Sequence, residues 1–115
     1  MTDRRRALGA AGEARTATWY RDHGYRVLDR NWRCRDGELD LVCVGRGSLV
    51  FVEVKTRSSL AFGHPAEAVT PAKQARLRRL AGRWVAAHPG VGPRWWRFDV
   101  VAVLPTSIEV IENAF

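Results

Sequence analysis

Two apolar runs, Glu38 to Val44 and Leu49 to Lys55, stand on either side of Gly45-Arg46-Gly47-Ser48, and they restrict the fold more than any other stretch of the chain. Each has the length and β-branched content of a strand, and the glycines between them mark a hairpin. A symmetric loop, either Arg46-Gly47 or Gly45 to Ser48, sets Leu39 opposite Val54, Leu41 opposite Val52 and Cys43 opposite Val50, making one face wholly apolar. The other face then pairs Val42 with Phe51, Asp40 with Glu53 and Glu38 with Lys55. An odd-length loop would mix the two sets, so the hydrophobic pattern itself selects this register. The near-continuous apolar character predicts a sheet covered on both faces.

This register opposes two carboxylates, Asp40 and Glu53, with Cβ atoms about 4.5 to 5.5 Å apart, where like charges destabilise a sheet. A shared proton, a basic neighbour or a divalent cation with oxygen ligands could offset the repulsion. A structural network in which Lys55 neutralises Glu53 and Glu38 would also do so.

Composition narrows the classes. The chain has 115 residues, 19 Lys plus Arg against 12 Asp plus Glu, and a formal net charge of +7. That is one domain (1–115, with 1–6 expected as a flexible basic terminus), large enough to hold a core without disulfides or a structural metal. Cys34 and Cys43 cannot make a four-ligand zinc site alone and are expected as reduced thiols. No apolar run approaches a membrane span and no signal-type segment follows Met1, so a cytoplasmic protein with no membrane partner is expected. The basic excess suggests a polyanionic partner, nucleic acid before membrane, against the simpler reading of a merely soluble basic protein. Of the 19 cations 17 are Arg; only Lys55 and Lys73 are Lys, a compact point charge where Arg is a fixed fork.

Around the hairpin, a helix is predicted from Ala7 to His23, closed by Gly24, with Ala10, Ala14, Ala17 and Trp19 or Tyr20 as its apolar stripe. Glu13 falls inside that stripe, where a carboxylate needs a partner. Tyr25 to Leu28 reads as a short strand and Asp29 to Gly37 as a polar connection. Thr70-Pro71 starts a second helix that runs to Ala87 and is stopped by Pro89-Gly90. Leu77, Leu80, Ala81, Trp84 and Val85 should face the core. Lys73 lies at this helix's positive end, where phosphate is favoured, and Arg76, Arg79 and Arg83 form a basic ridge that could equally be a solvated face. Trp95 to Leu104 and Ile108 to Ile111 read as strands. Trp95, Trp96 and Arg97 could stack bases or close a core edge, and Asp99 is a further candidate buried carboxylate. His23, His64 and His88 read as ordinary histidines, and no convergent nucleophile supports a Ser-His-Asp or Cys-His mechanism.

The order helix, strand, strand, strand, helix, strand, strand is that of an α/β domain. With Gly12-Glu13, Gly37-Glu38-Leu39-Asp40-Leu41, Phe51-Val52-Glu53-Val54-Lys55-Thr56-Arg57, Lys73-Gln74, Arg97-Phe98-Asp99-Val100-Val101 and Asn113-Ala114-Phe115, the sequence resembles the PD-(D/E)xK nuclease superfamily. More narrowly, it resembles the bacterial YraN family of predicted endonucleases, which are similar to archaeal Holliday-junction resolvases. The resemblance covers nearly the whole chain. It implies a restriction endonuclease-like α-β-β-β-α-β core, with a central mixed sheet flanked by helices.

It also implies a metal-dependent endonuclease acting on DNA, with branched or repair intermediates as candidate substrates. Asp40 and Glu53 would bind Mg²⁺, with the Val54 carbonyl as a further ligand, and Mn²⁺ would substitute. Lys55 would orient the attacking water and stabilise charge on the scissile phosphate. Glu13 would complete the acidic cluster, and Lys73 or Gln74, with Arg57 and Arg76, would hold nucleic acid. Glu38 lies outside the superfamily motif; positioning Lys55 is the role open to it. A homodimer would suit two coordinated cuts in a junction. The alternatives are a non-catalytic nucleic-acid-binding module that keeps the fold, and a protein-interaction subunit whose charge serves solubility.

Overall fold

The computed structural model describes residues 3–59, 63, 65–93 and 95–115; the side chains of residues 3–6, 65 and 66 are not described. His64 lies outside the described residues. The elements follow the expected order: α1 (Asp3–Asp22), β1 (Arg26–Cys34), β2 (Gly37–Gly45), β3 (Ser48–Thr56), a one-turn 3₁₀ helix (Pro65–Ala68), α2 (Pro71–Ala87), β4 (Trp95–Val103) and β5 (Ile108–Ile111). The five strands form one mixed sheet in sequence order, with β3 and β4 parallel and the other neighbours antiparallel. The parallel pair is made possible by α2, whose passage across one face supplies the crossover.

The hairpin register is the expected one through its apolar half: Leu41 opposes Val52, Val42 Phe51, Cys43 Val50 and Gly45 Ser48. Its turn is the two-residue Arg46-Gly47, with φ of 51° and 77°, the doubly positive turn whose twist suits a hairpin. Both faces are covered. Leu41, Cys43, Val50 and Val52 pack with Ala17 and Tyr20 of α1, whereas Val42 and Phe51 pack with Leu77, Leu80, Ala81 and Trp84 of α2.

Three expectations need correction. First, α1 starts at Asp3, not Ala7, so Arg4 to Arg6 are helical, and its buried face is Gly12, Thr16, Ala17 and Tyr20; Ala10 and Ala14 are exposed. Gly12 sits where a Cβ would collide with the Thr56 hydroxyl, and Thr16 Oγ1 donates to the Gly12 carbonyl at 2.8 Å, so small and self-satisfied residues carry the close approach. Second, the polar connection after Leu28 is strand as far as Cys34, and only Arg35-Asp36 form the turn. β1 is the sheet's edge and needs no alternating apolar set; a register shift between Val27 and Asp29, and the positive φ of Asn31 (52°), hide its period. Third, the β2–β3 ladder ends at Leu41–Val52, so Asp40–Glu53, Leu39–Val54 and Glu38–Lys55 are not ladder pairs. Leu39 accordingly packs with the α2 cluster, although Leu41 packs with that of α1.

Helix termini follow their local sequence. α1 closes with the Gly24 N–H on the Arg21 carbonyl and the Tyr25 N–H on that of Tyr20, Gly24 being left-handed (φ 87°). Thr70 caps α2 by accepting from the Lys73 N–H, with Pro71 following, which contributes about 1 kcal/mol. Among the described residues, no helix is long and apolar enough to cross a membrane. Cys34 and Cys43 are free; Cys34 pairs with Gly37, six residues or about 20 Å along β2 from Cys43, too far for a disulfide.

Candidate functional site

The site lies where β2 and β3 part. Beyond Leu41 the Asp40 carboxylate takes the place of a ladder partner, Oδ2 accepting the Val54 N–H at 2.8 Å. The N–H and C=O of a strand residue point to the same side, so the Val54 carbonyl faces this gap. The expected adjacency of Asp40 and Glu53 is therefore reached through their side chains, the Glu53 carboxylate lying close enough to perturb that of Asp40. Asp40 is pushed up to about 8, first by burial, then by the charge of Glu53 and that of Glu13; the Val54 N–H opposes the rise.

Glu53 is nearly buried, and two ammonium groups converge on one of its oxygens. Lys55 Nζ lies 3.7 Å and Lys73 Nζ 3.4 Å from Oε1. The two lysines of the chain thus meet at one carboxylate, one from the same strand and one from the first turn of α2. Burial, and then the contact with Lys73, hold the Lys55 ammonium below its usual range, while Glu53 and Asp40 pull it upward.

α1 brings a third acid. Glu13, Glu38 and Asp40 each offer an oxygen within 4.8 Å of the others. Glu13 follows Gly12, whose seat against Thr56 holds this turn of the helix on the C-terminal end of β3. Glu38 is not a ladder partner of Lys55; its Oε2 accepts from Arg33 Nε at 2.9 Å, and it belongs to the acidic group, a placement the motif did not supply. Its sequence signal was parity: two residues before Asp40, it falls on the same face of β2.

A cleft of ≈ 290 Å³ opens on these groups, lined by Gly37, Glu38, Asp40, Glu53, Lys73, Arg76, Leu77 and Leu80. Two expected nucleic-acid contacts, Lys73 and Arg76, line it. Gln74 is turned to the backbone, Nε2 donating to the Val69 carbonyl, and so anchors the start of α2. Arg57 is exposed at the end of β3 and lines a different, larger groove (≈ 510 Å³) with Leu8, Gly12, Arg15 and Leu104. The aromatic surface lies elsewhere too. Trp95 is 76% exposed and pairs with Ser48, five rungs or about 17 Å along β3 from Glu53. Trp96 rests on Phe51, and Arg97 is committed to Asp99 and Tyr25. Asp99 is fully buried as expected and satisfied by Tyr20, Arg97 and the Asn113 N–H, a structural tie rather than part of the cleft.

The donor set is all oxygen: carboxylates of Asp40, Glu53, Glu13 and Glu38, with the Val54 carbonyl turned to the same gap. Hard oxygen donors, with no thiol or imidazole joining them among the described residues, suit Mg²⁺ or Mn²⁺ rather than zinc.

The model of the "Uncharacterised protein family UPF0102" matches residues 12–103. A UPF0102 protein of Beutenbergia cavernae is 62% identical over 100 residues, covering 87% of this chain and 84% of its own length. One from Clavibacter michiganensis subsp. michiganensis is 50% identical over 117 residues, 96% and 98% of the two chains. One from Frankia alni is 51% identical over 114 residues, 95% and 94%.

Proposed function

The chain belongs to the uncharacterised protein family UPF0102, and we propose that it is a Mg²⁺-dependent endonuclease of the PD-(D/E)xK superfamily acting on DNA. One observation carries the reading. Where the β2–β3 ladder stops, Asp40, Glu53, the Val54 backbone and Lys55 surround one gap, beside a cleft edged by Lys73 and Arg76.

Asp40, Glu53 and the Val54 carbonyl would hold the cation, with Glu13 and Glu38 completing the acidic group. The bound ion would supply a nucleophile at neutral pH and neutralise charge developing on phosphate. Hydrogen bonding to the Val54 N–H fixes the Asp40 carboxylate, so its orientation is set before any ligand arrives. Lys55, a short reach from Glu53, holds the attacking water in line and meets the growing negative charge on the phosphate. Lys73 and Arg76 receive neighbouring phosphates. A cytoplasmic site of action fits the two unpaired thiols.

A second reading, a nucleic-acid-binding module without catalysis, has one observation in its favour: Lys55 and Lys73 already answer the charge of Glu53 without a cation. Cleavage of single-stranded, duplex, flap and four-way-junction DNA with Mg²⁺ or Mn²⁺ tests the proposal. Activity should fall by about a hundredfold or more in Glu53→Ala and Lys55→Ala. Full activity in both variants would reject this site, and no cleavage of any substrate by the wild type would favour the second reading.

A further inference from the structure

Glu53 carries more positive charge than it needs. Its carboxylate is 10% exposed, and a single ammonium would neutralise it, yet Lys55 and Lys73 both lie within 4 Å of the same oxygen. A divalent ion held between Asp40 and Glu53 would have to approach this doubly engaged carboxylate. The two lysines are not equally tied. Lys55 is 16% exposed and rises from the same strand two residues on, whereas Lys73 is 24% exposed and reaches in from α2 past the cleft wall. The backbone beneath Lys73 is fixed by the Thr70 cap and by Gln74 on the Val69 carbonyl. Only its four-carbon stem is left to move, and the cleft gives that stem room to swing outward. An arginine at this position would grip the carboxylate with a planar fork; a lysine makes a point contact that can be exchanged.

We propose that Lys73 is an exchangeable guard on Glu53: its ammonium opposes divalent-ion binding in the free protein and moves to a phosphate oxygen when nucleic acid enters, so that ion and nucleic acid bind cooperatively. The inference rests on the nuclease reading above. A doubly charged ion beside Oε1 would sit within about 5 Å of Lys73, and Coulomb repulsion at that distance, even at the dielectric of water, corresponds to about a tenfold loss of ion affinity. A phosphate oxygen offers Lys73 an equivalent partner and removes that penalty. By reciprocity, the ion must strengthen nucleic-acid binding by the same factor.

The test is calorimetric titration of Mn²⁺ into the full chain, wild type against Lys73→Gln, with thermal melts to check that both are folded. Loss of the guard should tighten Mn²⁺ binding about tenfold, opposite to the effect of removing a ligand. A second arm titrates Ca²⁺ with and without a saturating 20-base-pair DNA duplex. The duplex should raise Ca²⁺ affinity in the wild type, by a factor about ten times larger than in Lys73→Gln. Equal or weaker Mn²⁺ binding in Lys73→Gln than in the wild type would overturn the guard and leave the nuclease reading standing. Absence of Mn²⁺ binding in both proteins would overturn the two together.

Discussion

At the scale of single residues, Asp40 makes the most direct prediction. Its carboxyl is raised from 3.8 to about 8, mainly by burial, so the folded chain binds this proton more tightly than the unfolded chain does. The stability this contributes is present in full below about pH 4 and is lost as pH rises towards 8. The metal-free protein should therefore melt at progressively lower temperature from about pH 5 to pH 8, and Asp40→Asn should flatten the trend. A cation must displace the same proton, so calorimetry in buffers of different ionisation enthalpy should show proton release on Mg²⁺ binding below pH 8. A second prediction concerns Gly12. Gly12→Ala drives a methyl into the Thr56 hydroxyl and should cost about 1 to 3 kcal/mol in urea unfolding, much of it recovered in Gly12→Ala with Thr56→Ala. Glu13 was legible beside this glycine, because a carboxylate among small residues demands a partner. Gly12 and Thr16 were not, because alanine tolerates either environment and neither glycine nor threonine advertises burial; only the approach of β3 decides which face turns inward.

At the scale of elements, the legible ones carry their own punctuation. α2 was readable from Thr70-Pro71, a clear 3.6-residue apolar period and Pro89-Gly90, and the hairpin from two runs with glycines between them. β1 was not, because an edge strand with a register shift and a left-handed Asn31 has neither period nor a fully buried face. The end of the β2–β3 ladder was beyond pattern reasoning altogether, since alternation extends through Asp40 while the backbone does not. Asp99 shows how distant elements are joined. From β4 it accepts the Tyr20 hydroxyl of α1 at 2.6 Å and the Asn113 N–H of the C-terminal segment at 3.0 Å, and it holds Arg97 through both oxygens. Asp99→Ala leaves a guanidinium 15% exposed without its buried carboxylate and should cost about 3 to 5 kcal/mol in urea unfolding. Tyr20→Phe removes one bond to a charged group and should cost about 2 kcal/mol. The two losses should couple in the double variant, because both act on the same carboxylate.

At the scale of the whole molecule, the net charge of +7 does not say which cations are placed to meet a polyanion, because several are already engaged within the fold. Arg97 is spent on Asp99, Arg33 on Glu38, and Arg83 on Asp36, while Arg15 bonds the Leu104 and Ser107 carbonyls. Arg76 is exposed on the wall of the cleft. Each phosphate neutralised by a protein cation releases counterions and adds about 0.9 to the slope of log K against log salt concentration. Duplex binding followed by fluorescence anisotropy across a salt series should therefore lose about one unit of slope in Arg76→Ala. Arg83→Ala should change it less, since its charge already answers Asp36. With its carboxyl raised to about 8, Asp40 carries its proton at pH 7 in the metal-free protein, so Asp40→Ala should leave metal-free binding at that pH nearly unchanged and should not alter the slope. A wild type whose affinity is indifferent to salt would mean that the basic surface serves solubility, and the nucleic-acid partner would fall with it.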